Sequence, residues 1–242
     1  MRVCVLASGS KGNSTYIENE NTKILIDFGM SCNYIEKNLS ELNVNPKEID
    51  GIFITHTHID HIYGLEVFCK KYNTKVFISP SMKEFVKSNN VEFFKKELKF
   101  LDFEFKIIKN SHDIESYGFI INDKLVYITD TGYINNKYFE MIKNKKLYLI
   151  ESNYENEMLI DGRYPHHLKQ RIWSDKGHLS NNDCCYYLSE LIDKSTKHIF
   201  LMHLSEENNT EEKVLENIKV YKNIKCNVII TKQKEKTIVV EI

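Results

Sequence analysis

The sequence predicts an α/β fold in which helices cover the outer faces of two packed β-sheets. Two observations predict it. Short apolar runs rich in β-branched and aromatic residues alternate with segments of helical period, the pattern of α/β layers rather than of an all-β barrel. Five of those runs also end in a residue that can bind a metal ion or a proton: Asp27, His56, Asp130, Glu151 and His203. Buried strands of a mixed sheet that end together present such side chains along one edge.

Taken in order, Val3-Cys-Val-Leu6 reads as a strand that runs into Ser8-Gly9-Ser10-Lys11-Gly12-Asn13-Ser14. Small residues and two glycines there suit a turn whose backbone N–H groups contact phosphate. Ser8, Ser10 and Asn13 are therefore candidate substrate contacts, although an ordinary turn explains the same residues. Lys23–Asp27 is a second apolar run. Between Ser31 and Val44, Ile35, Leu39 and Leu42 fall at helical spacing, with Ser31 as the N-cap. Gly51–Thr55 is a buried strand, 63–72 a helix, 75–78 a strand, and Pro80 starts a short helix. Residues 91–108 mix their periods, and strands are expected from about Phe100 to Ile108. Strands follow at 117–121, 124–130 and 146–151, with a helix over 135–145. The last third predicts a helix near 180–193, a strand over 198–203, a helix over 209–221 and closing strands at 226–231 and 237–242.

Three prolines, nine glycines and no polar linker favour a single domain over residues 1–242. A net charge of −1 exerts no global pull on nucleic acid or an anionic membrane, so any polyanion contact must be local. The first apolar run is too short for a signal peptide, and no apolar stretch approaches the roughly 20 residues needed to span a bilayer. Six cysteines without a Cys-x-x-Cys read as packing thiols. A cytoplasmic protein with no membrane partner is expected.

Chemistry concentrates in His56-Thr-His58-Ile-Asp60-His61, three histidines and an aspartate directly after a buried strand. Two imidazoles at i, i+2 on an extended turn can grip one cation, and Asp60 with His61 can face a second. The i, i+4 helical zinc pattern with its glutamate is absent. A second cluster, Gly162–Trp173, holds two of the three arginines and the only tryptophan. Arg163, Lys169 and Arg171 beside an aromatic suit phosphates and stacked bases. An amphipathic helix with Leu168 and Ile172 inward accounts for the same segment and is compatible with that role.

His-x-His-x-Asp-His, the later His112, Asp130 after a strand and the final His203 resemble the metallo-β-lactamase superfamily. Residues 6–13, Thr129-Asp-Thr-Gly132, Glu151-Ser-Asn153, Gly177-His-Leu-Ser-Asn181 and His203–Asn209 narrow the resemblance to the YycJ/WalJ group, small single-domain members proposed to be DNA exonucleases. The group reads Glu-Ser-Asn-His-Asp where this chain has Tyr154 and Glu155 after Asn153. The resemblance implies a four-layer αββα sandwich, two mixed β-sheets flanked by helices. It implies two divalent ions, Zn²⁺ or Mn²⁺ with Fe²⁺ also compatible. His56, His58 and His112 would hold one, Asp60, His61 and His203 the other, and Asp130 would bridge them. A hydroxide shared by the ions would attack a phosphodiester. Asp60, His178 and Glu151 form the catalytic set, with His178 as the acid for the leaving alkoxide, held by Glu151. Asp27 reads equally as an acceptor that orients a ligand histidine and as a plain strand-end acid. The implied substrate is nucleic acid, DNA above all, degraded 5′→3′. The alternative is a hydrolase of a small thioester, lactone or β-lactam-like substrate. A thiolate leaving group needs an acid less than an alkoxide does, so His178 beside Glu151 favours the diester. A non-enzymatic relict would have lost ligands, and none of the seven is missing.

Overall fold

Runs that are apolar at every residue form the inner parallel strands, because a strand covered on both faces has no polar side. The computed structural model describes residues 1–242. Its elements fall into two units, Met1–Ile107 with Lys232–Ile242, and Ile108–Thr231. The first unit runs through β1 (Arg2–Ala7), β2 (Ser14–Asn19), β3 (Thr22–Ile26), α1 (Cys32–Glu41), β4 (Gly51–Phe53), α2 (Ile59–Ile62) and α3 (Leu65–Tyr72). It continues with β5 (Lys75–Ile78), β6 (Val91–Phe93), β7 (Glu97–Phe100) and β8 (Phe103–Lys109), whose last two residues belong to the second unit. The second unit holds β9 (Tyr117–Ile121), β10 (Leu125–Ile128), α4 (Phe139–Ile142), β11 (Leu147–Glu151), α5 (Asn156–Asp161) and α6 (His166–Trp173). It ends with α7 (Asn181–Leu191), β12 (His198–Met202), α8 (Glu211–Val220) and β13 (Asn227–Ile230), and β14 (Val240–Glu241) returns to the first unit.

The first unit's sheet has the order β14-β1-β2-β3-β4-β5-β6, antiparallel from β14 to β3 and parallel from β3 to β6. Phe53 on β4 stacks on Phe77 and Phe105, with ring centroids 4.4 and 4.1 Å apart. In the second unit β10, β11, β12 and β13 are parallel neighbours, and β9 joins β10 antiparallel. Val126, Tyr148, Ile150, Ile199 and Leu201 of these strands pack with Leu179, Leu188 and Leu191 in its core. Each such burial contributes about 1.5–3 kcal/mol. Helices begin where the sequence supplies caps: the Ser31, Ser180 and Thr210 side chains accept from Tyr34, Asp183 and Lys213 N–H. No helix is long and apolar enough to cross a membrane.

Register places the functional residues. β3 and β4 pair in parallel with Ile26 opposite Phe53, so Asp27 and the His56 turn leave the sheet at the same end. β10, β11 and β12 pair with Ile128 opposite Ile150 and Glu151 opposite Met202, so Asp130, Glu151 and His203 share the carboxyl end of their sheet.

Four local expectations differ. β2 occupies residues that, beyond Ser14, no element was expected to cover, because its polar Ser14 and Thr15 are buried and hide the apolar run. The helix over 135–145 contracts to a 3-10 turn at Asn136–Tyr138 and α4, and Asn144 takes a left-handed φ of 56°. The last strand shrinks from 237–242 to β14, and α5 appears where no helix was expected.

Candidate functional site

In the first unit, hydrogen bonds set the tautomers of the histidine cluster. The buried Thr55 hydroxyl donates to Asp27 Oδ2 at 2.8 Å and so accepts from His56 Nδ1 at 3.0 Å. His61 Nδ1 donates to the same carboxylate at 2.7 Å. Both rings therefore carry their lone pair on Nε2. His56 Nε2 lies 3.0 Å from His58 Nδ1, and His61 Nε2 lies 3.5 Å from Asp60 Oδ2, so the turn forms two adjoining donor pairs. Asp27, fully buried, takes the orienting role; burial raises its pKa against the opposing pull of His61 and Thr55. Gly29 lets the turn close, since a Cβ there would stand 1.6 Å from the Asp60 carbonyl. Asn13 N donates to that carbonyl at 2.8 Å, and His61 O accepts from Phe28 N at 2.8 Å.

In the second unit Glu151, fully buried, accepts four hydrogen bonds. Oε1 takes His178 Nδ1 at 2.7 Å and His203 Nδ1 at 2.8 Å, while Oε2 takes Thr131 N at 3.0 Å and Leu179 N at 3.3 Å. Burial alone would raise its pKa, and the His178 and His203 rings outweigh burial and hold it below the usual carboxylate value. Asp130 keeps Oδ2 on the Thr129 hydroxyl and turns Oδ1 to within 3.5 Å of His203 Nδ1. His112 donates from Nδ1 to the Gly177 carbonyl at 3.1 Å, which leaves Nε2 for a ligand, and burial lowers its pKa. Asn153 Nδ2 donates to the His203 carbonyl at 2.7 Å.

The model of the metallo-β-lactamase superfamily matches residues 7–131. The exodeoxyribonuclease WalJ of Streptococcus pneumoniae serotype 2 strain D39 is 40% identical over 223 residues, 86% of this chain and 83% of that one. The exodeoxyribonuclease YycJ of Bacillus anthracis is 38% identical over 86% of this chain and 84% of its own length. The chain belongs to the metallo-β-lactamase superfamily. Its fold is that of the superfamily: the metallo-β-lactamase fold protein YhfI of Bacillus subtilis superposes with a TM-score of 0.77 over 99% of both chains at 16% identity.

The donors suit the divalent ions that this metallo-hydrolase superfamily uses. Asp130, Glu151, His178 and His203 each offer an atom within 4.8 Å of the others, and every ligand-type atom in the two clusters is an imidazole nitrogen or a carboxylate oxygen. That set fits Zn²⁺ or Mn²⁺. Within it, the four bonds Glu151 accepts make it an orienting group. His178 is the more open of its two rings, its side chain 17% exposed against 4% for His203.

Several candidate substrate contacts take other parts. Ser8 and Asn13 are buried, and Asn13 accepts from Gly9 N at 2.9 Å while Nδ2 reaches His61 Nε2 at 3.0 Å. They shape the histidine cluster, and several of the loop's N–H groups are already bonded within the chain: Ser8 N to Lys232 O, Gly12 N to Gly9 O and Asn13 N to Asp60 O. Ser10 is exposed at the tip. Lys169 Nζ donates to the Ile160 carbonyl at 2.6 Å, and Arg171 is bound to Asp113; only Arg163 keeps the exposed position the sequence suggested without such a tie. Leu168 and Ile172 pack against Tyr154 and Leu159, so the amphipathic-helix reading of α6 holds. Tyr154, standing where the group has histidine, is buried in that apolar cluster. Sequence reasoning gave no role to Thr55, Thr131 or Asp113; only their proximity to the histidine and aspartate motifs signalled them.

Proposed function

We propose that this chain is a dinuclear-metal phosphodiesterase that degrades DNA from the 5′ end. The observation that carries the reading is His178, partly exposed and bound through Nδ1 to buried Glu151 at 2.7 Å. That bond holds the ring in place, and Nε2 is then the atom that would pass a proton to a leaving alkoxide. Two relatives named exodeoxyribonucleases, each covered over more than four-fifths of its length, support DNA as the substrate.

On this reading His56, His58 and His112 would hold one ion, Asp60, His61 and His203 the other, and Asp130 would serve both. When bound, the ions would supply Lewis acidity, lowering the pKa of water and offsetting phosphoryl charge. The chain's own residues do the rest. Asp27 and Thr55 fix the rings of His61 and His56, Glu151 fixes His203 and His178, and the exposed Arg163 and Ser10 would meet substrate phosphates. Cys4, Cys32, Cys69, Cys184 and Cys185 are buried free thiols, which suits a cytoplasmic enzyme.

The test is digestion of DNA labelled at either end, single- and double-stranded, with Zn²⁺, Mn²⁺ or Mg²⁺, beside RNA and a thioester. Mononucleotide release that a phosphorothioate block at the 5′ end prevents, and a block at the 3′ end does not, is the expected result. Faster turnover of the thioester than of any nucleic acid would overturn the reading.

A further inference from the structure

The last turn of α6 carries three contacts that converge on two site histidines. Arg171 Nε donates to Asp113 Oδ2 at 2.8 Å, and Nη2 binds the same oxygen. The other oxygen of Asp113 lies 3.3 Å from His112 Nε2, the ring atom left for a cation. One residue on, the Ile172 carbonyl accepts from His178 N at 3.0 Å. The loop between them folds back tightly on the helix end. A Cβ on Gly177 would stand 2.0 Å from the Ile172 carbonyl oxygen and 2.3 Å from that of Arg171. From this loop the Gly177 carbonyl accepts from His112 Nδ1 at 3.1 Å. The circuit closes through Ser111, whose N donates to Thr131 Oγ1 at 3.0 Å, while Thr131 N donates to Glu151, the partner of His178.

We propose that Arg171 is a positioning residue. It anchors the Asp113 carboxylate through Oδ2, beside the cation-facing nitrogen of His112, and ties His112 and His178 to one helix end, so that ligand and proton donor keep a common placement. The proposal rests on the metal and acid roles given above. An arginine paired this far in solvent contributes little to stability, so its effect lies in geometry. With Arg171 removed, Asp113 loses its anchor on the helix end, and its oxygen, already 3.3 Å from His112 Nε2, can close on that nitrogen and compete with the ion.

The experiment titrates Zn²⁺ into wild type, Arg171→Ala, Asp113→Asn and the double variant, and measures turnover of a small nitrophenyl phosphodiester beside DNA binding against salt. Arg171→Ala should weaken the tighter-affected Zn²⁺ equivalent by roughly 10–100-fold, the usual effect of losing an outer partner of a metal-binding histidine. It should also slow the small diester. Arg171→Lys should recover part of the loss. The double variant should be no weaker than Arg171→Ala alone, because both changes act through one contact. Unchanged Zn²⁺ affinity with a DNA salt slope lower by about one would make Arg171 a phosphate contact and overturn the proposal. Additive losses in the double variant would overturn it too. If Arg171→Ala does not fold, Arg171→Lys and Asp113→Asn carry the same comparison. Wild type that binds Zn²⁺ but cleaves no phosphodiester would sink the proposed activity, and the titration would still decide the clamp.

Discussion

Removing the His178 ring tests its assignment as acid most directly. In His178→Ala, Glu151 loses one of its four hydrogen bonds and keeps those from His203, Thr131 and Leu179. The lost bond is charge-assisted, so stability should fall by about 1.5–3 kcal/mol. The fold should survive, since none of the core residues around β10, β11 and β12 is touched. Catalysis on DNA should drop by roughly 10²–10⁴-fold, the usual contribution of a placed proton donor. At 1.36 kcal/mol per decade that is about 2.7–5.4 kcal/mol of barrier.

The assay compares kcat on labelled DNA with kcat on a bis-nitrophenyl phosphodiester, alongside metal content by elemental analysis. Nitrophenolate leaves without a proton, so the defect should nearly vanish on the small diester and appear in full on DNA, whose alkoxide needs one. Both metal equivalents should remain. An equal loss on the two substrates, or loss of a metal equivalent, would falsify the acid role and make His178 a ligand or a structural residue.

Three further outcomes follow from the first unit. Asp60→Ala should remove one metal equivalent and nuclease activity while the circular-dichroism spectrum persists, because Asp60 sits on a rim and the strands build the core; near-normal rates would sink the two-metal reading. Asn13→Ala should cost about 1–3 kcal/mol in urea unfolding by leaving Gly9 N without its acceptor, and should weaken metal binding through His61. If Asn13→Ala instead lowers only DNA affinity, with stability and metal content unchanged, Asn13 is a substrate contact after all. Gly29→Ala should destabilise by more than about 4 kcal/mol, since the new methyl collides with backbone that cannot yield; a folded variant with wild-type metal content would show that the turn at Asp60 can move.

The inner strands were legible because burial on both faces leaves a strand apolar at every residue, as in Leu147–Ile150 and Ile199–Met202. Their chemistry was legible because a polar residue ending such a run stands out. β2 was not legible: Ser14 and Thr15 are polar yet buried, Ser14 Oγ on the Asp27 carbonyl at 2.9 Å, so burial left no apolar trace. The basic stretch in α6 misled for a different reason. Composition shows that charge is present but not what has already bound it, and Lys169 and Arg171 are both engaged by their own chain. The partner of Arg171 lies 58 positions away, beyond any local pattern.

Backbone conformation explains why the acids and the histidine stand where they do. Asp27 and His203 directly follow β3 and β12, Asp130 stands two residues past β10, and each adopts a left-handed φ, of 60°, 56° and 53° in that order. For residues with a Cβ that region costs of order 1–3 kcal/mol where tertiary structure imposes it. Glycine would fill these positions without strain, yet it has no side chain to supply. Asp27 holds His61 and Thr55, Asp130 holds Thr129, and His203 donates to Glu151. The bonds that these three side chains form oppose the backbone cost. Substituting glycine at Asp130 should therefore relieve the backbone and still abolish metal binding, a separation of stability from function that an ordinary loop aspartate would not show.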